Sequence, residues 1–340
     1  MSRPRISVLL RVVIGVALLI ALVLGAGPDA VVGHLRRLDL LSLALAAGLY
    51  ACSLAIRGLR VWVLLQPEHP KGNWGITTCA STLGWSLNNF LPFRLGDLLR
   101  IYLLGVRSEV PLASVLLAVV AERLLDVAFL ALTTAGGSSP QLVMSGIGPA
   151  LGGAIVVAIA FALALFGLVR GRWRGWAGGR YLPARLEPLR ARAAGFIASA
   201  KLAARTHLTG GGLLRLLGLT AAAWAGQFLQ YAMFFNAFGI ELSPLLLAGF
   251  AAFMLSFAVN FVPGQVGTYE ALFVGIFASA GVGAPDLLLA IALATHVVNG
   301  ALLSLFGAAS YLYLGVRHGE LRELLASSRE QVRLARGEQA

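Results

Sequence analysis

Long apolar runs, nearly empty of charge, constrain this chain more than anything else in it. Six of them are long enough to cross about 30 Å of hydrocarbon at about 1.5 Å per helical residue: Val8–Ala26, Leu40–Leu65, Leu112–Thr134, Pro149–Val169, Leu213–Phe238 and Asp286–Val316. Charged residues make up only 12% of the 340, too few to coat a water-soluble globule of this size. The outer surface therefore faces lipid, and the backbone must satisfy its own hydrogen bonds, which selects helices. The expected fold class is an all-α polytopic membrane protein forming one integral domain over residues 1–340.

Two further apolar stretches, Gly75–Leu104 and Pro244–Ala280, are broken near their middles at Pro92/Gly96 and Pro263/Gly264/Gly267. Each reads as two short arms folded back on themselves, a re-entrant helical hairpin. Broken backbone survives at membrane depth only when buried in protein or lining a wet cavity. The expectation is thus about six full transmembrane helices plus two re-entrant hairpins.

Net charge is +12, carried almost wholly by arginine, since Lys71 and Lys201 are the only lysines. The basic residues gather between apolar spans, as cytoplasmic loops require, and no basic stripe stands apart for nucleic acid. Arg170, Arg172, Arg174, Arg180, Arg185, Arg190, Arg192, Lys201 and Arg205 mark the 170–212 loop as cytoplasmic. The tail over 317–340, with Arg317, Arg322, Arg329, Arg333 and Arg336, belongs on the same side, and Pro188–Ala204 reads as a surface helix. Six spans and two hairpins place both termini in the cytoplasm; Arg36 and Arg37, in an expected outer loop, run against the rule and are partly offset by Asp29 and Asp39. Arg3, Arg5 and Arg11 ahead of Val12–Ala26 imitate a signal peptide, with Gly25, Ala26 and Gly27 as a cleavage mimic; an uncleaved first helix is the expectation. Cys52 and Cys79, isolated in apolar stretches and outside any metal spacing, are expected to be buried and free.

The broken stretches share a motif. Asn89-Phe90-Leu91-Pro92-Phe93-Arg94-Leu95-Gly96 and Asn260-Phe261-Val262-Pro263-Gly264-Gln265-Val266-Gly267 repeat Asn, Phe, Pro and Gly at equal spacing. Proline ends the incoming arm, glycine permits reversal, and the asparagine amide can serve backbone groups left without partners. The outgoing arm starts with exposed N–H groups, a positive end suited to an anion. On this topology the first hairpin enters from the cytoplasm and the second from outside, an inverted repeat of about 40–134 and 213–315 whose broken helices meet at a midplane site. Helix breaks of no further consequence are the alternative.

These residues resemble the flippase-like integral membrane family that includes the membrane domain of bacterial lysylphosphatidylglycerol synthases. The likeness rests on Asn89-x-x-Pro92-x-Arg94-x-Gly96-Asp97-x-x-Arg100, then Glu122-Arg123-x-x-Asp126, then Pro263-Gly264-x-x-Gly267-x-x-Glu270, and runs from about Leu40 to Tyr313. Asp97 stands where Glu is usual, and Gln265 where Gly is frequent. The resemblance implies a lipid translocase in the bacterial cytoplasmic membrane. It also implies handling of lipid without aminoacylation, since the residues end at Ala340 with no soluble aminoacyl-transferase domain. The family shares no single substrate, so the likeness names none.

An ionisable group at the bilayer centre costs about 2.5–3.5 kcal/mol on insertion scales and asks for a partner or a role. Glu122 and Asp126 share one face of the third span and Arg123 lies about 100° around it. They either bind substrate or pair with other helices. Arg57 and Arg60 share a face near the cytoplasmic end of the second span; they either snorkel to the interface or form a cytoplasmic vestibule that captures phosphate. On the outgoing arm of the first hairpin, Asp97 and Arg100 are expected to pair, which leaves Arg94 as the free cation. In the second repeat the acid is Glu270. His296, three residues before Asn299 at midplane depth, is a proton-coupling candidate with Glu270, or a packing residue.

The expected function is translocation of an anionic phospholipid or lipid-linked headgroup through a central polar cavity. The candidate substrate-binding set is Arg57, Arg60, Asn89, Arg94, Asp97, Arg100, Glu122, Arg123, Asp126, Asn260 and Glu270. The rival is a membrane enzyme, or an accessory subunit, acting on a polyprenyl-phosphate or phospholipid; a scaffold subunit is a third reading. No cofactor, catalytic metal or nucleophile motif is expected, and the absence of a Walker A sequence argues against ATP-driven pumping by this chain. Expected partners are the lipid substrate, the membrane and a separate lipid-modifying enzyme, with no nucleic acid.

Overall fold

The structure is a computed structural model that describes residues 3–67, 72–90, 95–137, 198–199, 202, 205–207, 210–241, 247, 249–251, 253–254 and 263–316. Among the described residues every regular element is helical. They are α1 (Arg3–Ala26), α2 (Pro28–Leu35), α3 (Leu40–Leu65), α4 (Trp74–Phe90), α5 (Leu95–Arg107), α6 (Leu112–Gly137), α7 (Gly210–Ala237), α8 (Thr268–Ser279) and α9 (Pro285–Leu314), with a 3-10 turn over Pro263–Gln265 before α8. The fourth expected span, Pro149–Val169, most of the basic loop, the tail from Arg317, and the site candidates Arg94 and Asn260 lie outside the described residues.

α3, α7 and α9 are long and apolar enough to cross a membrane. α1 and α2 add a fourth crossing if the pair is one span, bent by 88°. The bend falls at Gly27, whose φ of 85° is left-handed, and Pro28 opens α2. α2 lies against α9, where His34 Nε2 meets Asp286 Oδ2 at 3.2 Å. α6 is as long as α3, at 26 residues each, but carries Glu122, Arg123 and Asp126 near its middle. Large apolar side chains stand on the outer faces, among them Leu40, Leu132, Leu305 and Leu312. That is the pattern of a helical protein clothed in lipid rather than water.

Asp39 starts α3 by accepting hydrogen bonds from the backbone N–H of Leu41 and Ser42 and from the Ser42 hydroxyl. α3 then packs along α7, where Gly226 lies against Ser53. It also meets α4, where Gly58 lies against Thr78. α4 and α5 pack against each other through glycines: a Cβ on Gly96 would stand 2.1 Å from the Gly84 carbonyl oxygen. α4 ends at Phe90 and α5 begins at Leu95, and the 3-10 turn over Pro263–Gln265 leads into α8.

Two cores differ in kind. Around α4, α5 and α6 the packing is aliphatic, with Val61, Leu99, Leu103, Leu104 and Val115. Around α7, α8 and α9 it is aromatic: Phe234, Phe235, Phe253, Phe273 and Phe277 are fully buried, and Phe235 and Phe273 stack at 5.7 Å. Offset and edge-on ring pairs add about 0.5–1.5 kcal/mol each beyond area burial.

The expectation of buried cysteines needs correction. Cys52 is exposed on α3 and Cys79 is half-buried. An outward position facing acyl chains suits a thiol as well as an interior one, so apolar surroundings in sequence do not imply burial in a membrane helix.

Candidate functional site

The charged residues of α3, α5 and α6 converge. Arg60 on α3 is fully buried and places Nη1 2.7 Å from Asp126 Oδ1 and Nη2 3.3 Å from Glu122 Oε1. Arg100 on α5, also fully buried, places Nη2 2.5 Å from Glu122 Oε2 and donates from Nε to Ser81 Oγ at 3.1 Å. Arg57 completes the series, with Nη1 3.5 Å from Asp126 Oδ2. The order is Arg57, Asp126, Arg60, Glu122, Arg100, alternating in sign. Among the described residues of this series three guanidiniums share two carboxylates, which leaves one positive charge in excess.

The spacing in sequence explains the alternation. Glu122 and Asp126 are four apart on α6 and present one face. Arg57 and Arg60 are three apart on α3 and present the facing one. Neither arginine snorkels: Arg57 is 9% exposed and Arg60 0%. Arg100 turns to Glu122 and Ser81, while Asp97 accepts from Asn88 Nδ2 at 3.0 Å and lies 4.0 Å from Arg123 Nη2. That pairing differs from the expected one between Asp97 and Arg100. Arg123, 38% exposed along its side chain, also stands 4.0 Å from Asp126 Oδ2.

Neutral groups support the cluster, and sequence reasoning missed most of them. Trp224 donates to Asp126 Oδ1 at 2.9 Å, and its ring lies 4.3 Å beneath the Arg57 guanidinium. Trp85 holds Arg100 in the same way at 4.8 Å. Thr220 accepts from Arg60 at 3.1 Å. Gln227 accepts from Arg57 at 3.4 Å and donates to Gln230 at 3.3 Å; Gln230 in turn donates to Asn299. A signal existed: Trp224, Gln227 and Gln230 recur every third residue in a mostly apolar span.

In the second half Glu270 is buried with both oxygens engaged. Oε2 accepts the backbone N–H of Gly267 at 2.7 Å, and Oε1 lies 2.6 Å from His296 Nδ1. Tyr269 stacks on His296 at 4.5 Å and exchanges hydrogen bonds with Tyr231 at 2.8 Å and Thr295 at 3.0 Å. Glu270 therefore holds the start of α8 against the preceding turn and ties it to α9. The two turns also come together. The 3-10 turn packs on the end of α4, and a Cβ on Gly264 would lie 3.8 Å from the Asn89 carbonyl oxygen. Among the described residues no group of three or more His, Cys, Asp or Glu is placed to hold a metal ion.

Residues 8–307 match the family described as the lysylphosphatidylglycerol synthase TM region. The chain belongs to that family. Among individual proteins it is similar to a UPF0104 membrane protein of Methanothermobacter thermautotrophicus, 25% identical over 335 residues that cover 89% of this chain and 94% of the relative. It is also similar to the glycosyltransferase AglD of Haloferax volcanii, 25% identical over 353 residues. That match takes in 92% of this chain and 56% of AglD, so the chain spans little more than half the length of that relative. No solved structure matches. Family membership makes this a membrane protein of the lysylphosphatidylglycerol synthase TM type, and the geometry above supplies its charged interior.

Proposed function

We propose that the chain is a translocase that carries an anionic phospholipid or lipid-linked headgroup between leaflets. The observation that carries this reading is the surplus guanidinium charge buried among α3, α5 and α6. Burial of a charge in excess of its partners is costly unless an anion joins it, and guanidinium binds phosphate oxygens in bidentate fashion. Arg123 supports the reading. It sits near the middle of a 26-residue helix with 38% of its side chain open, a position that suits a hydrated path and not acyl chains. An apolar groove of about 390 Å³ between α4 and α9, lined by Leu83, Leu87, Gly307 and Leu312 among others, suits the acyl chain of such a substrate.

In this reading the paired α4 and α5 arms and the turn before α8 belong to two re-entrant hairpins of an inverted repeat, among about six full spans. The protein sits in a bacterial cytoplasmic membrane with both termini inside. Glu270 and His296, at 2.6 Å, form the proton-coupling pair. Arg94 and Asn260 complete the headgroup path.

The test is reconstitution into liposomes with fluorescent lipids of several headgroups, comparing wild type with Arg94→Ala and Glu270→Gln. Wild type should move an anionic lipid faster than empty vesicles do, and both variants should slow it. If no anionic lipid changes leaflet faster than in protein-free vesicles, the reading fails. A second reading, a membrane enzyme acting on a polyprenyl-phosphate or phospholipid, is favoured by the name of AglD. Its support is limited, because Glu122 and Asp126 are neutralised by arginines and poorly suited to act as bases. Mass spectrometry of the recovered lipids decides between them: covalent change supports the enzyme.

A further inference from the structure

Not all the arginines are equally committed. Asp126 Oδ1 is taken by Arg60 at 2.7 Å and by Trp224 at 2.9 Å. Asp126 Oδ2 receives no hydrogen bond, yet two guanidiniums from different helices flank it at long range: Arg57 at 3.5 Å and Arg123 at 4.0 Å. A carboxylate oxygen that anchors neither arginine keeps both aimed at one place. The Arg57 guanidinium carbon also lies 4.3 Å from the centre of the Trp224 ring, a contact that steadies the side chain without using up its donors.

From Arg57 a line of neutral amides runs to α9. It passes through Gln227, then Gln230, then Asn299. Gln230 is fully buried and Gln227 and Asn299 are half-buried, so both ends of the line have open surface. Each primary amide offers donors and an acceptor together, which matches hydroxyl groups and not a second charge. An ammonium placed on this line would stand beside Arg57 and be repelled. The nearby carboxylate on α8 that reaches α9, Glu270, already holds Gly267 and His296.

Resting on the translocase reading, we infer that the site is bipartite and takes the phosphodiester of a polyol. Arg57 and Arg123 clamp the phosphate, and the Gln227–Gln230–Asn299 line recognises the uncharged, polyhydroxylated part of the headgroup, a glycerol, inositol or sugar. A buried amide line left without hydroxyls loses hydrogen bonds that it cannot recover from an apolar headgroup, so selectivity falls on hydroxyls rather than on charge.

The experiment compares lipids of equal charge in proteoliposomes. Tail-labelled phosphatidylglycerol and phosphatidylinositol are set against phosphatidylethanol, which carries the same single anionic phosphodiester without hydroxyls. Wild type should move the polyol lipids about fivefold or more faster, the ratio that one hydrogen bond of about 1 kcal/mol supplies. Gln227→Met and Asn299→Leu should bring the polyol-to-ethanol rate ratio close to one. Arg57→Gln and Arg123→Gln should slow all three lipids by about tenfold or more, as loss of a charge-assisted contact predicts. Melting temperature checks each variant, and Asn299→Ala replaces Asn299→Leu if that protein does not fold. Equal wild-type rates for polyol and ethanol lipids overturn the inference, as does a ratio unchanged in the amide variants. In both cases lipid still moves and the translocase reading stands. No movement of any lipid overturns that reading and the inference with it.

Discussion

Glu122 shows what one residue does in this protein. It is fully buried and touches Arg60 of α3 and Arg100 of α5, arginines from two different helices. Removing one partner of a buried pair leaves a charge uncompensated, which typically costs about 3–5 kcal/mol. Glu122→Gln, which keeps the shape and deletes the charge, should lose stability of about that size in chemical unfolding in detergent. Trp224→Phe should lose less, because Asp126 Oδ1 keeps Arg60. At the start of α3, Asp39 accepts from the Ser42 hydroxyl and from two backbone N–H groups, and these bonds hold its carboxyl below the ordinary value of 3.8. A depressed folded-state pKa means that its stabilisation is present above 3.8 and disappears as pH falls through the lower folded value. Asp39→Ala should lower the melting temperature at neutral pH and flatten its dependence on pH in the acid range.

At the scale of elements, the turn ahead of α8 is the tightest piece of backbone. Gly264 and Gly267 have φ of 64° and 79°, and Gln265, between them, has φ of 54°. A left-handed conformation costs a residue with a Cβ about 1–2 kcal/mol, so Gln265→Gly should stabilise the protein by up to about 1 kcal/mol. Gly267→Ala should do the reverse and do it severely: its Cβ would stand 1.9 Å from the Gly15 carbonyl oxygen of α1, backbone that cannot swing aside. Both effects are read as shifts in melting temperature. The presence of Gln where this family often has Gly was visible in sequence; that Gln adopts the glycine conformation, rather than remaking the turn, was not. Element boundaries were more legible. Leu40–Leu65 coincides with α3, and the starts of α6 and α9 fall within one residue of expectation, because hydrophobic runs end where capping and charge begin. The bent α1–α2 pair was not foreseen, since Gly27 and Pro28 read as the end of a span and not as an 88° corner.

For the molecule as a whole, the informative contact joins the two broken stretches. Asn89, at the end of α4, and Gly264 are far apart in the chain, and a Cβ on Gly264 would lie 3.8 Å from the Asn89 carbonyl oxygen. With Cys52 and Cys79 replaced by serine, Asn89→Cys and Gly264→Cys should be joined by a short thiol cross-linker. The readout is a mobility shift after cleavage in the intervening loop. Failure to cross-link at any reagent length below about 8 Å, a little over two Cα–Cα steps of chain, would separate the turns and count against the proposed headgroup path between them.

Composition and apolar run length alone determined that this chain is helical and membrane-bound, because a bilayer accepts little else from so few charges. The second copy of the Asn-Phe-x-Pro-x-x-x-Gly motif also marked the turn at Pro263–Gln265 ahead of α8, since proline and glycine act on their own backbone. What only the tertiary structure decided is which charges meet. Arg57 and Arg60 had two readings in sequence, snorkelling to the interface or a vestibule that captures phosphate, and Arg100 had a near neighbour in Asp97; helix packing buried all three arginines and set Arg60 and Arg100 against Glu122 of α6. Local spacing reports which residues share a face. The partner across that face is set by how helices pack, and in a low-dielectric interior the partner determines whether a charge is structural, spare or available to a substrate.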